Sequence, residues 1–148
     1  ELISYSKVIA ATDNDAYNTL VATDLALEFG RENVFQIARA KNDNARHQLP
    51  KSLGGRAFGI DATFHDIAQL HRDGWSFRVT GLTEEFTLEN WRNEQPEARL
   101  LAWISPKGEL KLVSQDDEVK SAPDVSLIAF RPANDKENGT QPPAAAKG

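Results

Sequence analysis

Cysteine is absent from the 148 residues, which removes disulfides, thiolate metal sites and cysteine nucleophiles together. Methionine is absent too, the first position included, and the chain reads as a segment of a longer polypeptide. No run approaches the ~18 consecutive apolar residues of a membrane-spanning helix. Cations are outnumbered, with 17 Lys and Arg against 22 Asp and Glu, for a formal charge of −5. That balance argues against non-specific association with nucleic acid or an anionic membrane, and no nucleic-acid partner is expected. There is no G-x-G-x-x-G loop and no G-x-S-x-G elbow. His47, His65 and His71 lack the spacing of metal ligands, so no metal is expected. Glu84-Glu85 and Asp116-Asp117-Glu118 are adjacent acids in loops and not a pair held across a cleft. With none of these chemistries in place, the chain is not expected to be an enzyme.

What is present is a 40% hydrophobic chain, enough for one domain or two small lobes sharing a core. Residues 7–12 carry Val8, Ile9, Ala10 and Ala11 without alternation, the pattern of a parallel strand buried on both faces. The cluster Thr12-Asp13-Asn14-Asp15 follows, and any of its side chains can accept from a free first-turn amide. The helix beyond places Leu20, Val21, Ala22, Leu25, Ala26 and Phe29 inward and ends at Gly30. A second buried strand over 34–38 completes a βαβ unit. A short helix over 45–53 interrupted by Pro50, a turn at Gly54-Gly55 and a strand over 56–60 come next. Asp61 is expected to cap a helix with Phe64, Ile67, Ala68 and Leu70 inward, closing at Gly74.

From Trp75 the pattern changes. Residues 75–82 alternate, with Trp75, Phe77 and Val79 against Ser76, Arg78 and Thr80, as a half-exposed strand does. A short helix over 86–91 follows. Strands over 99–104 and 109–113 flank Ser105-Pro106-Lys107-Gly108, a hairpin turn with Pro preset for its second position. Residues 125–130 give a last strand. Trp75, Trp91 and Trp103 stand among aliphatics and are expected to pack in the core. The chain therefore divides into an α/β lobe over 1–74, a β-rich lobe over 75–131 and a disordered tail over 132–148, rich in Pro, Ala and polar residues.

The segment with most chemical content is Thr12-Asp13-Asn14, at the carboxyl end of a buried parallel strand. In open α/β sheets ligands collect there, where helix amides and the helix dipole favour an anion. Asp13 and Asp15 repel phosphate and suit ribose or base hydrogen bonding better, whereas Arg39, just after the second strand, could meet a phosphate. Plain helix capping for the first group and a solvated Arg for the second are the alternatives. The lobe also opens directly on its first strand, as a doubly wound domain cut at its middle would.

The run from Val8 to Asn18, VIAATDNDAYN, resembles the fourth strand and following turn of RCK (KTN) domains, with their V-I-A-x-T-x-D-D/E-x-N pattern. Ile37-Ala38-Arg39-Ala40 is similar to that family's next strand, and Leu53-Gly54-Gly55 to its L-G-A turn. More narrowly, Glu28-Phe29-Gly30-Arg31 through Val34-Phe35-Gln36, with Leu82-Thr83-Glu84-Glu85-Phe86, resembles the cytosolic C-terminal region of bacterial sodium(cation):proton antiporters. The resemblance spans residues 6–130. It implies an α/β fold with a partial Rossmann-like, RCK-type parallel sheet followed by a small β-rich α+β lobe. It implies a regulatory domain at the cytoplasmic face of the bacterial inner membrane, joined to a transmembrane antiporter domain of the same polypeptide and forming a homodimer. The ligand it implies is a nucleotide (AMP, ATP or NAD(H)), with Thr12, Asp13 and Asn14 on the ribose or base side and Arg39 facing phosphate. The Gly-rich loop and ribose-binding acid of that family belong to earlier strands, which this chain does not include. An NAD-dependent oxidoreductase fragment, which would need a proton donor near residues 12–18, and a stand-alone interaction module are the alternatives.

Overall fold

The computed structural model describes residues 6–40, 53–114 and 117–133. The chain is a mixed α/β protein with a three-stranded parallel sheet and a four-stranded antiparallel sheet. The parallel sheet comprises β1 (Val8–Ala10), β2 (Val34–Gln36) and β3 (Arg56–Ala57), in that spatial order. Its register pairs Ile9 with Phe35 and Gln36 with Ala57. Between β1 and β2 runs α1 (Asp15–Phe29). Asn14 caps it, its side chain accepting from the Tyr17 amide, and Gly30 closes it by donating to the Ala26 carbonyl. Ala22 of α1 sits against Ala10 and Val34, flanked by Leu25, Ala26 and Phe29.

Double-sided burial holds for β2, whose three residues are all buried, and fails for β1, where Ile9 is 40% exposed. The reason is position. β1 is an edge strand, and α1 covers only the face that Val8 and Ala10 share. Leu20, expected inward, is 60% exposed. It lies two residues, about 200°, around the helix from Ala22, which centres the contact with the sheet.

The antiparallel sheet contains β4 (Ser76–Gly81), β5 (Arg99–Ile104), β6 (Leu110–Leu112) and β7 (Ser126–Arg131), ordered β4-β7-β5-β6. α2 (Phe64–Arg72) precedes it, and α3 (Leu88–Glu94) lies between β4 and β5. The cap of α2 is Thr63 and not Asp61: Thr63 and Asp66 exchange side-chain and backbone hydrogen bonds in a capping box. That later start leaves Phe64 exposed, while Ile67 and Leu70 turn inward as expected. Thr87 and Asn90 form a second box, which moves α3 two residues past the expected start. The hairpin turn at Pro106 closes with the Gly108 amide donating to the Ser105 carbonyl at 2.8 Å.

One face of the antiparallel sheet packs on α3, where Leu88 and Trp91 meet Leu82, Leu127 and Ala129. The other face meets the parallel sheet. Phe130 and Leu101 share a cluster with Phe35, Ile37, Phe58 and Ile60, and α2 adds Ile67 and Leu70 to it. Past β3 the chain turns toward β6 instead of extending the parallel ladder. Phe58 bridges Ser114 antiparallel, and the Gly59 amide donates to Val113 at 2.7 Å. A Cβ on Gly59 would lie 2.8 Å from that same carbonyl oxygen, so this crossing needs glycine. The expected helix over 45–53 lies, Leu53 aside, outside the described residues, as do His47 and residues 134–148 of the expected tail.

Candidate functional site

The turn after β1 is organised by Asn18, a buried residue of α1. Its Oδ1 accepts from the Thr12 amide at 2.9 Å and from the Thr12 hydroxyl at 2.7 Å, and its Nδ2 donates to the Thr12 carbonyl at 2.9 Å. The Thr12 hydroxyl oxygen in turn accepts from the Asn14 amide at 3.2 Å, while Asn14 Oδ1 accepts from the Tyr17 amide at 3.0 Å. Thr12 and Asn14 are thus engaged in shaping the turn and capping α1. Asp13 is exposed at its tip. Asp15 carries the link to the next strand: its Oδ2 accepts from the Ala40 amide at 2.8 Å, so the chain leaving β2 is tied to the first turn of α1.

Arg39 is anchored nearby, Nη2 donating to the Leu53 carbonyl at 2.7 Å. Beneath it lies a buried polar network. Gln36 Nε2 donates to the Thr19 hydroxyl at 3.0 Å, and its Oε1 accepts from the Gly55 amide at 3.4 Å. The Thr23 hydroxyl accepts from the Gly54 amide at 3.0 Å. Gly54 has φ +94°, and a side chain there would collide with Gln36 and press on Arg39. The structure therefore brings the segments of Thr12, Asp13, Asn14 and Arg39 to one edge, the carboxyl end of the parallel strands.

That edge holds a cleft of about 470 Å³ between the segment after β2 and the start of α2, lined by Arg39, Asp61, Thr63, His65 and Asp66 together with alanines of both segments. Thr12, Asp13 and Asn14 are not among its walls. Sequence reasoning treated Asp61 as a cap and His65 as a surface histidine. The signal that they belong here was their place directly after the strand-like run ending at Ile60. Asp66 has its carboxyl held below the ordinary aspartate value, first by the Thr63 amide and then by the Thr63 hydroxyl. It remains ionised at the amino end of α2, where an incoming phosphate would otherwise sit. One guanidinium against the carboxylates of Asp61 and Asp66 disfavours a polyphosphate. Ribose hydroxyls, which donate to carboxylates, and at most one phosphate on Arg39 fit this donor set.

A larger cleft, about 690 Å³, opens between the two sheets. Its cations and Asp117 have partners within the chain. Arg56 Nη2 donates to Asp117 at 3.0 Å and to Ser114 at 3.1 Å, Lys111 lies 5.2 Å over the Trp103 ring, and Lys7 donates to Asn33. Burial alone would raise the Asp117 carboxyl, but the amide and hydroxyl of Ser114 and the Arg56 guanidinium together hold it below the usual aspartate value. We read this cleft as the joint between the sheets. Among the described residues there is no His, Cys, Asp and Glu cluster that could hold a metal ion, and no helix long and apolar enough to cross a membrane. No protein-family model, no curated protein and no solved structure matches the chain.

Proposed function

We propose that the chain is a cytoplasmic regulatory domain of a bacterial cation/proton antiporter, with a partial Rossmann-like, RCK-type first lobe whose sheet-edge cleft senses a nucleotide. The observation that carries the reading is the cleft between Arg39 and the amino end of α2, at the carboxyl end of parallel strands, where α/β sheets bind ligands. Regulation requires unequal affinity for two arrangements of the protein. The cleft offers a route to it, because one wall is the start of α2, and Ile67 and Leu70 of that helix pack in the cluster shared by both sheets. A ligand drawing Arg39 toward α2 would load that cluster, and through it a transmembrane antiporter domain of the same polypeptide. A homodimer is part of the same reading. The carboxylates of Asp61 and Asp66 favour AMP, with its single phosphate, over the diphosphate of NAD(H) and the triphosphate of ATP.

Thermal unfolding and calorimetric titration with AMP, NAD, NADH and ATP test this. A ligand at ~100 times its dissociation constant should add ~2.7 kcal/mol to stability. Arg39→Ala should weaken AMP about tenfold or more, as the loss of a charge-assisted hydrogen bond does. No response to any of the four, by this chain or by the polypeptide that carries it, would overturn the sensor reading. The position of His65 in the cleft gives a second reading some support, since an imidazole supplies the proton donor that an NAD-dependent oxidoreductase fragment needs. Turnover of a nicotinamide substrate that fails in His65→Gln would favour it.

A further inference from the structure

We propose that β4 is a pairing edge, and that a second copy of this chain adds to it as an antiparallel strand, with Phe77 facing the partner's Phe77. The inference does not depend on the nucleotide cleft, and it gives the homodimer of the proposed reading an interface. Among the described residues β4 lies at the end of the order β4-β7-β5-β6, so one row of its backbone amides and carbonyls faces away from every described strand. Such a row is satisfied by another strand, and proteins that avoid this keep edges short, charged or bulged. The opposite edge follows that rule: β6 has three residues with Lys111 at its centre. β4 has six residues, and its large apolar side chains Phe77 and Val79 are 59% and 67% exposed on one face. Phe77 is held by Phe130, ring centroids 4.9 Å apart, and Trp75 also packs on Phe130. The apolar surface of β4 is thus presented on a rigid support.

The sequence of the edge selects the occupant. Around a two-fold axis through Phe77, Trp75 faces the partner's Val79 and Arg78 faces the partner's Ser76. Aromatic and β-branched groups then meet across the seam on one face, and no two Arg78 side chains stand directly opposite on the other. A parallel partner in register would instead set Arg78 beside Arg78. Arg78 Nη1 lies 3.5 Å from the Phe77 carbonyl oxygen, a long contact that a strand can replace.

The absence of cysteine gives a clean background for the test. Phe77→Cys in the full chain should form a disulfide-linked dimer under mild oxidation, because directly opposed residues bring Cβ atoms within ~5 Å. Val79→Cys should not, since each Val79 then lies four residues along the strand from its counterpart. Sedimentation of the unmodified chain should show a reversible dimer. Val79→Lys, at an exposed site that does not support the core, should raise its dissociation constant about tenfold or more while far-UV circular dichroism stays unchanged. A chain that sediments as a monomer at every concentration, or Val79→Cys linking as readily as Phe77→Cys, would overturn the proposal.

Discussion

The parallel sheet and the antiparallel sheet are held by different kinds of side chain. The parallel sheet has strands of two or three residues, and buried amides and hydroxyls of Asn18, Thr19 and Gln36 bind it to α1 and to the Gly54-Gly55 turn. The antiparallel sheet has three strands of six residues and rests on Leu88, Trp91, Val125, Leu127 and Ala129. Short ladders contribute little, so beside its apolar clusters around Val34 and Phe35 the first half also relies on polar contacts that are worth ~1 kcal/mol each when made and cost ~1–3 when left half-made. The second depends on apolar area. The difference matters for function because the polar network lies directly beneath Arg39 and the cleft. In the proposed reading, a ligand there would act on this polar network first.

Phe130 is where the two halves meet, fully buried and in contact with Trp75 and Phe77. Phe130→Ala should therefore cost about 3–5 kcal/mol. If the halves form one cooperative unit, urea unfolding followed by tryptophan fluorescence should coincide with unfolding followed by helical circular dichroism. Trp91 and Trp103 report the antiparallel half and Trp75 the shared cluster, whereas α1, the longest helix described, reports the parallel half. Separate midpoints would break the comparison into two independent lobes. Next in size is Gly59→Ala, at the crossing, where the new Cβ meets two backbone carbonyls; a loss of about 1–3 kcal/mol is expected. Gly81→Ala, with nothing near its added Cβ, should change stability by less than about 0.5 kcal/mol in the same denaturation assay.

Asn18→Ala should cost about 1–3 kcal/mol, since it leaves the Thr12 amide and carbonyl without their partner. Hydrogen exchange should show the loss at residues 12–18 before it appears in β5 or β7. Smaller again than Asn18→Ala is Asp117→Asn, which weakens a solvent-accessible ion pair and should cost less than about 1 kcal/mol, with the difference shrinking in salt. The carboxyls of Asp117 and Asp66 both lie below the model-peptide value of 3.8 in the folded chain. The folded state then binds fewer protons than the unfolded one near that pH. The stabilisation is present above 3.8 and is lost as pH falls through the folded values. Asp117→Asn should flatten that acid limb, and an unchanged limb would remove the Arg56–Asp117 joint from the account.

Much of this was legible in residue order. The runs around Ile9, Phe35 and Leu127 are strands, the turn at Pro106 closes a hairpin, and Asn14 and Gly30 bound a helix, because each follows from local preference and spacing. Burial was less legible. Nothing in the periodicity of α1 separates Leu20 from Ala22, since the helix carries apolar residues on nearly every side and only the position of the sheet selects a face. The alternation in β4 correctly gave a half-exposed strand, but not that Phe77 and Val79 would be the exposed residues. The candidate site divided in the same way. Arg39 was singled out from its place after a strand and lines the cleft, whereas Thr12, Asp13 and Asn14 were singled out too and do not; Asp61 and Asp66 were passed over because a cap and a helix acid look alike in sequence.

The amino-acid sequence by itself determined the α/β character, the order of elements and the polar residues available at strand ends, since hydrophobic period and capping chemistry act over a few residues. Tertiary structure alone decided which edge each strand leaves open, which side chains share a cleft and how Phe130 joins two sheets. Those outcomes depend on contacts between segments tens of residues apart, whose energies no local window contains.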